Sequence, residues 1–495
     1  MKKYLGWTVS GLMVAACLGA GAQVEGLDVA AAAKALAPGA SVTDTLGLQG
    51  ASTLADQTSV AVTVYNNNLA LVRETRKVKL LPGEQELRFM DVAEQIKPET
   101  VSLSSLSAPG TLRILEQNYE YDLISPEKLM EKYVGKDVRL INKNNEIGFF
   151  EQGAKLLSVN GGAVYEIDGD IYLGHPGNVV LPEMPGNLIS KPTLVWTLDN
   201  DGTDHDIEVA YQTNGISWSA DYVVNYDEPN GKLGLEGWVT LNNQSGATYT
   251  NATLKVVAGE VNIVQPEVRE MMFADAMPAM AKAAGAPMQE ESFAEFHLYT
   301  LPRPTTIKQN QSKQVSLLNA EGIAVSKTYE FRGQSYFYSQ QMPEFPTQNA
   351  QTFLKFQNEE KNQLGVPLPA GVMRVYQADK SGALQFAGED RIDHTAKDEE
   401  VSLFLGEAFD IVGERKQTDY KVVSGSTYEA AFEVTIRNHK ESAVTVDVVE
   451  PIGGDWKITD SNIEHEKVDA FSALFKVEVP ADGEQMLKYR YRVTY

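Results

Sequence analysis

Cysteine is almost absent from the 495-residue sequence, in which Cys17 is the single example. One cysteine cannot form an internal disulfide, so the fold has to be stabilised without cross-links of this kind. If Cys17 is removed with an N-terminal leader, no thiol remains in the chain. A cysteine nucleophile is then excluded.

Positive charge is also scarce, because 43 Lys and Arg face 67 Asp and Glu and the formal net charge is −24. Such an excess of negative charge repels phosphate groups, which makes nucleic acid and anionic membrane surfaces poor partners. We interpret the charge mainly as a means of keeping the protein in solution. Cation-rich partners and bound divalent ions are the alternatives.

The motifs of common enzymes are missing as well. The six histidines are scattered, and the sequence has no His-Glu-x-x-His, no Gly-x-Ser-x-Gly and no glycine loop that cradles phosphate. We therefore predict no catalytic residue and no cofactor, and we do not expect an enzyme of a conventional type.

The N-terminus has the layout of a secretory signal peptide over residues 1–22. Two lysines precede an apolar run from Leu5 to Leu18, and small residues end at Ala22, after which we predict cleavage. The apolar run is too short to cross a bilayer comfortably. We expect an exported, periplasmic or envelope-associated protein with no transmembrane span after signal removal.

Cys17 allows an alternative interpretation of the same leader. The residues before it, Val14-Ala15-Ala16, fit the pattern of a bacterial lipoprotein signal, in which the cysteine carries a lipid anchor. Leu18 stands where a small or polar residue is usual and favours removal of Cys17 with the signal peptide. The mass of the mature N-terminus decides between these two hypotheses.

The clearest pattern in the chain lies at residues 207–264 and predicts four consecutive strands. Apolar and polar residues alternate from Ile207, from Trp218 and from Leu233, as half-buried strands require. Turn residues such as Asn214-Gly215 and the segment 243–246 separate the strands. Similar short strands recur along the chain, so we predict a mainly β protein of several β-sandwich domains.

Changes in composition and turn spacing predict how these strands are divided. After the signal peptide we predict the following parts: a flexible tether at 23–58, an N-terminal β domain at 59–124, a small β-barrel-like module at 125–190, a central β region at 191–342 and a C-terminal β-sandwich region at 343–495. The central region contains a mobile insertion at 265–297 that is rich in Met and Ala.

Several segments resemble a bacterial family of unknown function, the mucoidy-inhibitor-A-like proteins. The resemblance lies in VYNNNLALVRE at 64–74, in Tyr211 with WSADY at 218–222, in LPAGVMRVY at 368–376 and in LFLGE at 403–407. It implies an exported, β-rich envelope protein and brings no catalytic residues. The long coiled coil of some relatives is missing here, because residues 125–190 occupy its place.

Three clusters could bear chemistry. Asp199, Asp201, Asp204 and Asp206 surround His205 in an oxygen-rich loop of the type that calcium prefers, although Asp204 and Ala210 stand where a helix–loop–helix site needs Gly and a bidentate carboxylate. We interpret this loop as a polar hairpin tip, the segment 389–394 as an exposed charged ladder, and the methionines of the insertion as part of a loop rather than a copper site.

These observations favour an exported cell-envelope protein that binds or scaffolds an envelope protein or polymer. One alternative is a carboxylate- or metal-dependent extracytoplasmic hydrolase that uses residues 199–206 or 389–393. A second alternative is an outer-membrane-associated lipoprotein anchored at Cys17.

Overall fold

A computed structural model describes residues 50–495 except 145–147, 176, 184–188, 190, 203, 260, 263–287 and 343–344. The described residues are mainly β, which confirms the predicted fold class. They contain one α-helix, α1 (Pro126–Lys132), and short 3-10 helices at Leu54–Asp56, Pro98–Thr100, Glu228–Asn230, Ser335–Tyr338 and Glu360–Asn362. Cys17, Ala22 and most of the predicted tether lie outside the described residues.

Two sheets are built largely from the first half of the chain. A four-stranded sheet has the order β1 (Ala51–Ser52), β4 (Gly83–Met90), β12 (Thr193–Asn200), β6 (Leu112–Glu120). An eight-stranded sheet has the order β17 (Gln289–Phe293), β18 (Phe296–Thr300), β16 (Tyr249–Ala258), β2 (Gln57–Tyr65), β3 (Leu69–Lys79), β13 (Asp204–Thr213), β5 (Ser102–Ser105), and β19 (Thr305–Ile307) also pairs with β16.

The ends of two predicted segments are ordered into these sheets. Residues 50–58, predicted as the end of the tether, contain β1 and the start of β2. Ala51 and Ser52 pair with β4, and Gln57 pairs with β3. The predicted insertion 265–297 lies outside the described residues as far as 287. From residue 289 onwards it forms the hairpin of β17 and β18.

Residues 126–180 form the small module, which is an open sheet. Its antiparallel order is β10 (Asp170–Leu173), β9 (Val164–Ile167), β8 (Gly148–Ser158), β7 (Asp137–Asn144), β11 (Asn178–Val180). The predicted barrel-like closure is wrong, because β10 and β11 remain at opposite edges and do not pair. Tyr133, which follows α1, lies in the core of this module with Leu140 and Leu156.

The largest sheet has thirteen strands. Its main path is β23 (Leu384–Ile392), β22 (Gly371–Ala378), β14 (Ile216–Asp227), β15 (Lys232–Asn243), β20 (Gln311–Arg332), β21 (Gln348–Gln357), β24 (Glu400–Ser424), β25 (Thr427–Asn438), β30 (Gly483–Thr494), β27 (Asp455–Ser461). Three further strands join it through β20, namely β26 (Val444–Pro451), β29 (Ser472–Val479) and β28 (His465–Asp469).

Two hydrophobic cores lie along this sheet. The larger core includes Phe89, Trp196, Val209 and Tyr222, and therefore joins side chains from the four-, eight- and thirteen-stranded sheets. The second core consists of residues from Tyr329 to Val493 and has Phe432 near its centre. The boundary predicted at residue 343 does not coincide with a change of core, because Leu354, Met373 and Leu403 belong to the larger one.

The four strands predicted within 207–264 correspond to β13, β14, β15 and β16. Their inward residues are buried, as the alternation requires. β14 and β15 form a hairpin, whereas β13 pairs with β3 and β16 pairs in parallel with β2. The turns at the ends of these strands therefore gather at one end of two different sheets.

Candidate functional site

The four carboxylates predicted around 199–206 are divided between two sheets. Asp199 lies on β12 and forms an ion pair with Arg113, while Asp204 and Asp206 lie on β13. Asp201 is exposed in the connection between these strands. Among the described residues, no three His, Cys, Asp or Glu side chains are close enough to hold one metal ion together.

His205, in the same segment, is buried and bonded on both ring nitrogens. Its Nδ1 lies 2.9 Å from Ser105 Oγ, and its Nε2 lies 2.9 Å from Asn200 Oδ1. Asn200 in turn donates to the carbonyl oxygens of Leu81 and Gly202, at 3.0 and 2.6 Å. The buried imidazole thus stabilises the connection between β12 and β13 by hydrogen bonds, as in an ordinary polar turn.

The second acidic group, at 389–394, lies along β23 and beyond its end. Glu389 forms an ion pair with Arg374 of the neighbouring strand at 3.2 Å. Asp390 Oδ2 accepts the backbone N–H of Phe404 at 2.7 Å, and His394 Nδ1 accepts that of Ala370 at 3.1 Å. These groups tie strands and loops together, and Asp393 is exposed.

Two buried arginine–glutamate pairs occupy the hydrophobic cores. Arg76 contacts Glu74 at 3.1 Å and lies over the ring of Phe89, 3.6 Å from its centroid. Arg415 contacts Glu450 at 2.6 Å. Burial raises the pKa of the Glu74 carboxyl, although Arg76 opposes this shift. Neither carboxylate is exposed to solvent, since Glu74 is 3% and Glu450 is 0% exposed.

A different kind of site lies where the turns gather. This cleft, which we call the amide cleft, has a volume of about 300 Å³. It is lined by residues that are all polar or glycine and carry no charge: Asn68, Gln95, Gly215, Ser217, Asn242 and Gln244. Its volume lies at the lower end of the range for small-molecule sites, about 300–1,000 Å³.

Backbone hydrogen bonds hold the lining residues in place. Gly215, with φ +83°, donates its N–H to Asn68 Oδ1 at 3.0 Å and accepts the N–H of Gln244 at 2.6 Å. A Cβ atom at position 215 would lie 2.8 Å from the Gln244 carbonyl oxygen, so the turn requires glycine. Gln95 Nε2 donates to that same Gln244 oxygen at 3.0 Å.

The other side chains of the cleft are unpaired. Ser217 lies directly opposite Asn242 on the neighbouring strand, and Gln244 follows Asn242 by two residues. The side chains of these three residues make no hydrogen bond to any described residue. Their neighbour Asn243 is 1% exposed and fully used: its Nδ2 donates to the Ala247 carbonyl at 2.9 Å, and its Oδ1 accepts Ser245 Oγ at 2.8 Å. The cleft therefore presents unused donors and acceptors to solvent.

From the cleft, the solvent face of the sheet continues along β14, β15 and β20. Side chains directly opposite each other share a face, which gives successive rows along the strands. The rows are Ser217–Asn242–Ser312, Ser219–Thr240–Gln314 and Asp221–Trp238–Ser316. Thr240 donates to Asp221 at 2.7 Å, and Arg374 of β22 donates to Asp221 at 3.0 Å. The row that contains Trp238 is thus the first with a charged residue.

Fold and site together define a mainly β protein of linked sheets with an uncharged polar cleft at the ends of several strands. Residues 207–495 match the family model of a domain of unknown function, DUF4139. This match covers more than half of the chain, so the protein belongs to the DUF4139 family. A search of curated proteins finds no match. No helix among the described residues is long and apolar enough to cross a bilayer.

Sequence reasoning named several of the cleft residues without recognising the cleft. Asn68 belongs to the YNNN segment at 65–68, and Gly215 and Gln244 were assigned to turns because Asn, Gly and their neighbours favour them. The usable signal was the excess of amide residues at successive strand ends. It has meaning only when β2, β13 and β15 are known to end side by side.

Proposed function

We propose that this protein is an exported cell-envelope protein that binds or scaffolds a partner without catalysing a reaction, and that the amide cleft is its contact site. One observation supports this proposal above the others. Ser217, Asn242 and Gln244 offer unpaired hydrogen-bonding groups in one concave place, whereas the buried Asn243 between the last two is bonded within the protein.

The chemistry of the lining favours binding over catalysis. A general acid or base has to exchange protons near neutral pH, which carboxamide and hydroxyl side chains do not do. In each acidic group of the alternative hydrolase one carboxylate is held in an ion pair, Asp199 with Arg113 and Glu389 with Arg374. A hydrolase that uses Asp199 or Glu389 would first have to break these ion pairs.

Within the DUF4139 family, we place the protein near the mucoidy-inhibitor-A-like proteins. Three of the four segments that carry this resemblance contribute residues to the cleft or to the face that leads from it. Asn68 lies in the first segment, and Asp221 and Arg374, from the second and third, form the ion pair beside Thr240. The shared segments would then encode the surroundings of a binding site as well as strands.

Export is tested separately from binding. We expect the mature protein in the periplasmic or envelope fraction, with Gln23 as its first residue because the leader ends at Ala22. N-terminal sequencing and intact mass check this expectation. A lipid-modified Cys17 would establish the lipoprotein alternative, and an unprocessed chain in the cytosol would contradict export.

Site-specific photocrosslinking in living cells tests the cleft itself. A benzophenone amino acid is placed at Gln244 and, as a matched control, at Gln485, which is a partly exposed amide on β30 outside the cleft. We expect a light-dependent adduct at position 244 and none at 485. Equal labelling at both positions, or no adduct at 244, would contradict the proposed site.

A further inference from the structure

The amide cleft also indicates which class of ligand it binds, an inference that rests on the proposed function. None of its lining residues is charged, although the chain has 110 acidic and basic residues in total when its 43 Lys and Arg are added to its 67 Asp and Glu. Glu94 is next to Gln95 in the chain, but it packs against Gly246 and does not line the cleft. An ionic ligand would find no opposite charge there to offset its loss of hydration.

Hydroxyl-rich ligands match the lining best. A carboxamide group both donates and accepts, and so does a hydroxyl group, which allows the two to form paired hydrogen bonds. Asn242 and Gln244 keep both functions of their amides unpaired, and Asn68 keeps its Nδ2 donor. An apolar ligand would leave these groups dehydrated and unbonded, at a cost in affinity.

The strands beside the cleft disfavour a peptide. An extended peptide usually binds by adding a strand to a free sheet edge. Here β14 is paired with β15 and β22, and β15 is paired with β14 and β20. β15 therefore has no free edge, β14 has none from Ala220 onwards, and the lining offers no apolar pocket for side chains.

Trp238 extends the site along the sheet. It shares the solvent face with Asn242, four residues away on β15, which is about 13 Å along a strand. Trp196, Trp218 and Trp456 are at most 7% exposed, whereas Trp238 is partly exposed. Its ring offers an apolar surface to the C–H face of a sugar, and its Nε1 donor is unpaired among the described residues.

We infer that the amide cleft and the face leading to Trp238 bind a neutral carbohydrate, with one sugar residue in the cleft and a following residue against the indole. Ser219 and Gln314 lie between these two points, on either side of the buried Thr240, and supply a further hydroxyl and amide. The ligand class is a neutral oligosaccharide or polysaccharide.

Calorimetric titration of the mature protein tests this inference. The probes are three neutral tetrasaccharides, namely N-acetylated chitotetraose, cellotetraose and maltotetraose, with tetragalacturonate and a neutral Gly-Ser-Asn peptide as comparisons. We expect saturable binding of at least one neutral saccharide at up to millimolar concentrations. Binding should quench the fluorescence of Trp238, which is the most accessible tryptophan of the described chain.

Three variants locate the binding. Asn242→Ala and Gln244→Ala should each weaken binding about two- to tenfold through lost hydrogen bonds, and Trp238→Ala about tenfold through lost ring contact. Gln485→Ala is the matched control and should leave affinity unchanged. Circular dichroism and the melting temperature establish that each variant is folded.

Each other outcome overturns the inference. If no neutral tetrasaccharide binds, the ligand class is wrong. If a saccharide binds but the cleft variants retain full affinity, the site is wrong. Stronger binding of tetragalacturonate or of the peptide also contradicts a neutral carbohydrate. A specific crosslink at position 244 in cells, combined with no saccharide binding, would leave the proposed function standing while this inference fails.

Discussion

The second hydrophobic core and the amide cleft both contain polar side chains, but the hydrogen-bonding groups of these side chains are used in opposite ways. In the core, Arg415 and the hydroxyl of Tyr338 both donate to the Glu450 carboxylate. In the cleft, Asn242 and Gln244 keep their donors and acceptors unpaired. The first arrangement stabilises a fold, and the second is available to a ligand. Mutations in the two places should therefore have different consequences.

Burial explains why the core arrangement is strongly coupled to stability. Burial and the negative charge of Glu450 hold the pKa of Tyr338 well above its ordinary value. Tyr489, also buried beside this group, has its pKa raised by the same causes. These phenols should stay protonated in the folded protein at alkaline pH. The amide side chains of the cleft carry no charge and do not titrate, so they do not make the free energy of unfolding depend on pH in this way.

The largest expected effect comes from breaking the core pair. Glu450→Ala leaves Arg415 buried without its partner, and the free energy of unfolding should fall by about 3–5 kcal/mol. Urea unfolding followed by circular dichroism measures the loss. The double variant Arg415→Met/Glu450→Leu should recover most of it, because it removes both charges. A double variant as unstable as the single one would contradict this account of the pair.

A smaller effect separates two adjacent asparagines. Asn243→Ala removes a buried amide and leaves Ser245 and Ala247 without its bonds, so unfolding should become easier by about 2–3 kcal/mol. Asn242→Ala should change stability by less than about 0.5 kcal/mol. The two variants are compared by urea unfolding. Equal losses would remove the distinction between bonded and unpaired amides.

Gly215 affects both stability and ligand binding, because its positive φ is needed for the turn and the turn shapes the cleft. Gly215→Ala places a Cβ 2.8 Å from the Gln244 carbonyl at a positive φ, and we expect a loss of about 1–2 kcal/mol. The variant should also lower the affinity of the cleft for its ligand, because the added Cβ forces Gln244 to move. Unfolding and titration of one sample measure both effects. Unchanged stability would show that the turn accommodates a side chain.

The smallest effect concerns a bonded carboxylate at the surface. Hydrogen bonds from Ser381, Gln385 and Ala383 lower the pKa of Asp379 to about 2 from its ordinary 3.8. A lowered pKa means that the stabilisation is present above pH 3.8 and is lost as the pH falls through about 2. Carboxyl NMR titration measures the pKa. Asp379→Asn should remove this part of the acid dependence, and an unshifted pKa would contradict the bonds.

The sequence was sufficient for the strands but not for their partners. Alternation around Ile207, Trp218 and Leu233 predicted β13, β14 and β15, because a two-residue period is a local property. It carries no information about which distant strand lies alongside, such as β2 beside β16. The cleft depends on those pairings. Asn68 and Gln244 are 176 positions apart in the chain, and each by itself reads only as a turn residue.

Strands β20 and β24 have 22 and 25 residues, and each runs from the larger hydrophobic core into the second. Each of these strands therefore contributes side chains to both cores and connects them through one continuous backbone. A chain truncated within 311–332 or 400–424 would lose part of β20 or β24, and the strands that pair with the lost part would lose their hydrogen-bond partners. Melting of the two cores should accordingly be coupled, and a fragment that contains only the last part of the chain should not be expected to fold unaided.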